Sequence, residues 1–440
     1  MTTPPSGPHE ASAQDDPLAR AWREHWGRTV ALLLGQFARP DLVEDAVAEA
    51  FASAAQRWPQ DGVPDSPGAW LLTAARRRVV DRLRAEAVHR RKEPLMVVDA
   101  RTRAAASASA TDPSTGPAED EHLLDERLRL IFTCCHPALS AEARVALTLR
   151  FVIGLDVPEI ARLMLVRPTT MAARITRAKK RLTASGIPFD VPPAGRLDER
   201  LDVVATVLYL VFTAGYHPQP GDEPLRGDLG DEAIRLARVL DSLLPGHGVV
   251  RALLALMLLQ HSRRDARLDP DGHLVLLHDQ DRSRWRRTEI EEALPLLRGL
   301  PRTTGQAEAY RLQALVAAEH ATAPAAASTR WDVIAGHYAE LEDLTGSPVV
   351  RLARAVAVAE LDGPDAALAL LEGLETRLPD HHRLEAVRAE LAWQAGRPQE
   401  AAAGFLRALA LVPGGPEHEH LTERLAALRT EALTPEAEAG

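Results

Sequence analysis

The chain has 440 residues, which at roughly 150 residues per domain implies a multidomain protein. Hydrophobic residues make up 46% and aromatic residues only 4%, with Ala, Leu and Arg prominent, so an all-α protein is expected. The net charge of −10 argues on its face against a nucleic-acid binder, and two cysteines exclude a disulfide framework or a Cys-rich zinc site.

The charge is strongly polarised. From Ala69 to Lys92 the balance is +6, from Ala161 to Ser185 it is +7 with no acid, and everything else carries −23. Two short cationic segments inside an acidic chain point to DNA contact more than the total argues against it.

Residues 1–17 read as a disordered leader with no apolar stretch of a signal peptide, and no run of about 18 uncharged apolar residues follows. A soluble, cytoplasmic protein without membrane contact is expected. Helical periodicity runs over 18–92, broken at Arg39-Pro40 and between Pro59 and Pro67. Residues 93–120 are small, polar and punctuated by Pro and Gly, with too little apolar bulk to offset chain entropy, and form a flexible linker. A second helical unit spans 121–190, closed by Pro188, Pro192 and Pro193.

A long helical extension follows over 197–432. In it Asp365-Ala-Ala-Leu-Ala-Leu-Leu-Glu-Gly-Leu aligns with Glu400-Ala-Ala-Ala-Gly-Phe-Leu-Arg-Ala-Leu, and Asp231-Glu-Ala-Ile-Arg-Leu-Ala-Arg-Val-Leu echoes both. An interval near 34 residues, with small residues where helices touch, is the mark of tetratricopeptide-type hairpins.

Gly154 to Leu182 reads as a helix-turn-helix. Pro158 opens its first helix, with Ile160, Ala161 and Leu163 inward and Val166 packing the turn. Thr169 or Thr170 caps the second, in which Met171, Ile175 and Leu182 face inward while Arg174, Arg177, Lys180 and Arg181 face out. Such a helix fits the major groove, its first turn at base edges and its cationic flank on phosphates.

The earlier basic helix, Trp70 to Arg84, has an apolar stripe at Trp70, Leu71, Ala74, Val79 and Leu83 beside its arginines. Aromatics next to a basic helix can stack unpaired bases, although Trp58 reads as core.

The order Asp45-Ala-Val-Ala-Glu-Ala-Phe51, then Trp70-Leu-Leu-Thr-Ala-Ala-Arg76 through Arg84, a linker and a helix-turn-helix resembles the extracytoplasmic-function (ECF) sigma factors of the sigma-70 family. The resemblance implies a region 2 helical bundle over 18–92, region 4 over 121–190 and, from Gly272 to Trp285 and Val350 to Glu360, a C-terminal tetratricopeptide-like extension. It further implies that Asp45, Glu49 and Phe51 dock on the clamp of the RNA polymerase largest subunit, with the polymerase flap as a second contact. Trp70, Arg76, Arg77, Arg78, Asp81, Arg82 and Arg84 would engage the promoter −10 element, and Thr169, Thr170, Arg174, Arg177, Lys179, Lys180 and Arg181 the −35 element. The acidic extension would mask the basic units or offer a concave surface to a protein partner. A helix-turn-helix regulator that senses through its repeats and binds duplex DNA without polymerase is the alternative.

No enzyme, metal or cofactor is expected. Cys134-Cys135-His136 reads as buried small apolar residues, because adjacent thiols cannot converge on one ion from a helix. The carboxylates at Asp269, Asp271, Asp279 and Asp281 lack calcium-loop spacing and read as turn formers. Neither His261 nor His278 shows a nucleophile or carboxylate pair beside it, so no catalytic constellation emerges.

Overall fold

A computed structural model of the chain describes residues 16–92, 118–164, 166–185, 187, 189–216, 225–269 and 273–433. The leader and the linker, but for their last few residues, lie outside them, as do Leu165, Pro188 and Asp271. Among the described residues every regular element is helical, and the β pairing there is an isolated bridge between Leu268 and Leu274. The chain divides into two compact units, Met1–Val211 and Phe212–Gly440.

The first unit begins with α1 (Pro17–Phe37), α2 (Pro40–Asp61) and α3 (Pro67–Lys92). Asp16 caps α1 by accepting from the Leu18 N–H at 3.0 Å, and Pro17 fills the first helical position, where a missing N–H costs nothing. Residues spaced by a helical turn make the core: Trp26, Val30 and Leu33 from α1, Val43, Val47 and Ala50 from α2, and Leu71, Ala75 and Val79 from α3. The expected stripe on α3 is thus centred a little differently, with Trp70, Ala74 and Leu83 half-buried at its margins.

The unit continues through α4 (Ala118–Cys134), α5 (Ala141–Leu147), a π-helical segment (Thr148–Ile153), α6 (Val157–Leu163), α7 (Pro168–Ala184) and α8 (Ala194–Tyr216). Trp22 and Trp26 stack at 4.4 Å and Trp22 meets Phe51 at 4.7 Å. This aromatic cluster joins α1 and α2 to the segment before α6: the Trp22 indole donates to the Gly154 carbonyl at 3.1 Å, and that of Trp26 to the Arg150 carbonyl at 3.0 Å. Gly154 has φ +93°, and a Cβ there would stand 2.6 Å from Trp26 Cδ1, so both conformation and space demand glycine.

The second unit contains α9 (Leu225–Leu243), α10 (Gly248–His261), α11 (Arg287–Arg298), α12 (Gly305–Thr322), α13 (Trp331–Thr345), α14 (Pro348–Asp362), α15 (Pro364–Leu370), α16 (His382–Gln394), α17 (Pro398–Leu411) and α18 (Pro416–Leu433). Residues 249 to 259 of α10 are buried almost all round, since α9, α11 and α12 pack against it. Further on, successive helices pair as hairpins. Where α16 meets α17, a Cβ on Gly404 would lie 2.8 Å from that of Ala389, which is the close approach the small repeated residues permit. The two aligned repeats keep register, Asp365 and Glu400 each falling in a first helical turn, but α15 stops at Leu370 and Gly373 follows in the left-handed region. No helix among the described residues is long and apolar enough to cross a membrane.

Candidate nucleic-acid interface

The helix-turn-helix consists of α6 and α7. A capping box fixes α6: Asp156 accepts from the Glu159 N–H and Glu159 from the Asp156 N–H, both at 2.7 Å. Burial and the neighbouring Asp156 charge push the Glu159 carboxyl up, against the pull of that backbone bond. Ile160 and Ala161 are buried, Leu163 less so, and the turn closes as the Val166 N–H donates to the Ala161 carbonyl at 2.9 Å.

Helix α7 starts two or three residues earlier than expected. Arg167 occupies the capping position without a side-chain bond and Pro168 the first helical one, so Thr169 and Thr170 are exposed first-turn residues and not caps. Proline's fixed φ sets the helix start that a capping hydroxyl was expected to set. Met171, Ile175, Ala178 and Leu182 are buried, and the opposite side carries the cations.

Those cations divide. Arg174, Arg177 and Arg181 line an open groove of about 490 Å³ together with Ala138, Leu139 and Ser140, and none has an ion pair to a carboxylate among the described residues. Lys180 is exposed. Lys179, expected on the −35 element, is instead turned toward α2, its Nζ 2.8 Å from Glu44 Oε2, while Arg150 Nε holds the other oxygen at 2.6 Å. A lysine so engaged has no free charge for a phosphate.

On α3, Arg77 and Arg84 are exposed and Arg76 is half-buried. Arg84 pairs with Asp81 at 3.5 Å, both well solvated. Arg78 and Arg82 reach across to α2: Arg78 Nε lies 3.1 Å from Glu49, its Nη2 donates to Ser53 Oγ at 2.6 Å, and Arg82 bridges Asp45 at 3.3 Å and Glu49. Residues expected to serve two different partners are therefore ion-paired to one another. Phe51, expected beside those carboxylates at the clamp, is 1% exposed in the aromatic cluster and offers no face to a partner. Trp70 is half-buried in an edge contact with the buried Trp58, centroids 5.8 Å apart.

Cys134 and Cys135 are both buried, as expected. Burial pushes both thiols up, Cys135 to about 11 despite a Thr148 hydroxyl 3.6 Å away and the fields of Arg144 and Arg200. Asp269 and Asp281 each accept a backbone N–H in a turn, from His273 and Ser283.

His261 departs from expectation, because a carboxylate pair does surround it. Its Nδ1 lies 2.9 Å from both oxygens of Glu289, and its Nε2 lies 3.5 Å from Asp231 and 3.0 Å from Arg264 Nη1. A guanidinium only donates, so Nε2 accepts and the ring proton sits on Nδ1, facing Glu289. Arg286 joins through Asp265 at 2.7 Å, and this network ties α9, α10 and α11 together. No local pattern of residues marks this network, nor Glu44, Arg150 and the paired tryptophans.

A helix-turn-helix with an open arginine groove, in the same unit as a second arginine-rich helix, defines a helical DNA-binding protein. Comparison with known proteins fixes which kind. The profile of sigma-70 region 2 matches residues 22–88 and that of sigma-70 region 4 residues 129–182, while a family of unknown function (DUF6596) matches residues 200–300. An uncharacterized protein of Rhizobium meliloti (strain 1021) is 42% identical over 408 residues, covering 92% of this chain and 95% of that one. The probable ECF RNA polymerase sigma factor SigI of Mycobacterium tuberculosis is 30% identical over 182 residues, 41% of this chain and 60% of SigI. The ECF RNA polymerase sigma factor SigK of Mycobacterium sp. (strain KMS) is 32% identical over 135 residues, 31% of this chain and 63% of SigK. No solved structure matches. The chain belongs to the sigma-70 family, as an ECF sigma factor with a C-terminal helical extension, and its role is in transcription initiation.

Proposed function

We propose that the chain docks on the polymerase clamp through Asp45 and Glu49 of α2 and reads the −10 element with α3 and the −35 element with α7. Thr169 and Thr170 meet base edges in the first turn of α7, and Arg174, Arg177, Lys180 and Arg181 take phosphates. On α3, Arg76, Arg77 and Arg84 are the ready cations, with Trp70 at the margin of the helix. Arg78 and Arg82 join them when cationic groups of the clamp compete for Asp45 and Glu49, so that docking frees arginines for the DNA. The extension modulates this activity and offers its hairpins to a protein partner. The protein works in the cytoplasm and catalyses no reaction itself.

The observation that carries this reading is the groove of Arg174, Arg177 and Arg181, three guanidiniums on the outer side of a helix-turn-helix with no acid bound to them among the described residues. The test is run-off transcription with purified core polymerase. The chain should direct initiation from a cognate promoter, and Arg174→Ala with Arg177→Ala should lower it at least tenfold while leaving binding to core intact. A footprint on duplex DNA alone, with no stimulation of core, would sink the proposal in favour of a polymerase-independent regulator.

A further inference from the structure

The Cys-Cys-His-Pro turn between α4 and α5 has one guanidinium fastened to it and a second fastened to the last turn of α4 that leads into it. Arg144 donates through Nε to the Leu139 carbonyl at 3.0 Å and through Nη2 to the Pro137 carbonyl at 3.3 Å. Arg200, from α8, donates to the Phe132 carbonyl at 2.6 Å, and its Nε is buried with no acceptor. Arg200 is only 8% exposed and has no carboxylate partner among the described residues. Arg196 stands one turn before it, exposed.

Within the turn, His136 Nδ1 accepts the Ala138 N–H at 3.2 Å, which leaves Nε2 as a donor. Burial and the fields of Arg200, Arg196 and Arg144 hold this imidazole below its ordinary range. Ala138 and Leu139 of the same turn also line the groove of Arg174, Arg177 and Arg181. One turn thus carries two arginine sets, one from the helix-turn-helix and one that includes the first helix beyond the region 4 match. Buried, unpaired guanidinium with a spare donor calls for an anion, and the planar fork suits a phosphate oxygen pair.

We propose that this turn and the first turns of α8 form a phosphate-binding patch that grips the backbone of promoter DNA beside the segment read by α7. The proposal rests on the reading of α7 given above. It makes the start of the extension part of the DNA-binding surface, adding affinity and register without base preference.

The test uses the full chain with core polymerase and a labelled promoter duplex, titrated over a range of salt. Arg196 is exposed and its side chain makes no bond among the described residues, so Arg196→Gln should keep the fold, verified by an unchanged melting curve. Each lost phosphate contact lowers the slope of log affinity against log salt by about 0.9. Arg196→Gln should therefore reduce the slope by about one, with Arg196→Lys restoring it and discrimination between intact and mutated −35 elements unchanged. An unchanged slope and affinity in Arg196→Gln would overturn the patch, even if Arg174→Ala still weakens promoter binding. If inorganic phosphate at constant ionic strength binds the wild type but not Arg196→Gln, while the DNA slope stays the same, the site takes a free anion and the DNA assignment fails. A chain that shows no promoter preference with core, but whose slope on non-specific duplex falls in Arg196→Gln, keeps the patch and refutes the sigma-type reading of α7.

Discussion

Glu44 on α2 and Lys179 on α7 meet at 2.8 Å, and Arg150 closes the other side of the same carboxylate at 2.6 Å. With a side-chain exposure of 8%, Glu44 serves two cations from the other half of its unit. Removing a partner from a buried ionic group leaves charge uncompensated, which costs about 3–5 kcal/mol for a fully buried pair and less here, since Lys179 retains some solvent. Glu44→Gln is expected to lower the melting temperature of the chain by about 5–10 °C, measured by calorimetry. With core polymerase present, Lys179→Ala should weaken binding to a −35 element less than Arg177→Ala does, and equal losses would show that Lys179 leaves Glu44 for the DNA.

Gly154→Ala should be more damaging than any exposed substitution nearby. The new methyl would meet Trp26 at 2.6 Å while the backbone holds φ at +93°. Strain of this kind costs about 1–3 kcal/mol and an overpacked contact a similar amount, so chemical denaturation should show an unfolding free energy lowered by about 2–4 kcal/mol. A shift below about 0.5 kcal/mol would mean that the indole ring moves aside freely.

Cys135 gives stability a pH dependence with a definite sign. Its thiol is pushed up to about 11 in the folded chain, so above the unfolded value near 9 the unfolded state loses its proton first. Cys135 should account for about 2–3 kcal/mol of the stability lost between pH 9 and 11, and Cys135→Ala should make that part of the curve shallower, with Cys134 supplying the rest. At neutral pH both thiols should resist an aromatic disulfide reagent until the chain is unfolded.

His320 works at the acid end. Burial, with Arg263 and Arg282 nearby, holds its imidazole down to about 4. The unfolded ring takes up a proton near pH 6.5, so stability is full above that value and falls as pH drops toward 4. His320→Gln should remove about 2 kcal/mol of that loss, after allowance for partial solvation, read as a smaller decline in melting temperature between pH 6.5 and 4.5.

Local patterns were legible and distant pairings were not. The spacing of Met171, Ile175 and Leu182 identified the buried side of α7, and the cations opposite followed from it. The start of that helix lies two or three residues before the position the hydroxyls of Thr169 and Thr170 suggest, because Pro168 takes the first helical position. Nothing in the run Lys179-Lys180-Arg181 marks the first lysine as the one that turns inward, since its partner is 135 residues away. The carboxylates around His261 likewise come from separate helices, about thirty residues away on either side. Trp22 and Trp26 carry the periodicity of a core helix, but their acceptors lie 132 and 124 residues further on, so the sharing of one core by two sigma regions needed the structure.

The π-helical segment carries a consequence for how this chain tolerates length changes. The Gly154 N–H bonds to the Leu149 carbonyl, one residue further back than an α-helix would reach, which leaves the Arg150 carbonyl to the Trp26 indole. Deleting a single residue between Thr148 and Ile153 would restore the regular ladder and consume that oxygen, evicting a tryptophan from across the unit. Relatives that keep tryptophan at this position should therefore show a fixed count of residues from Ser140 to Gly154, and gaps should fall outside it.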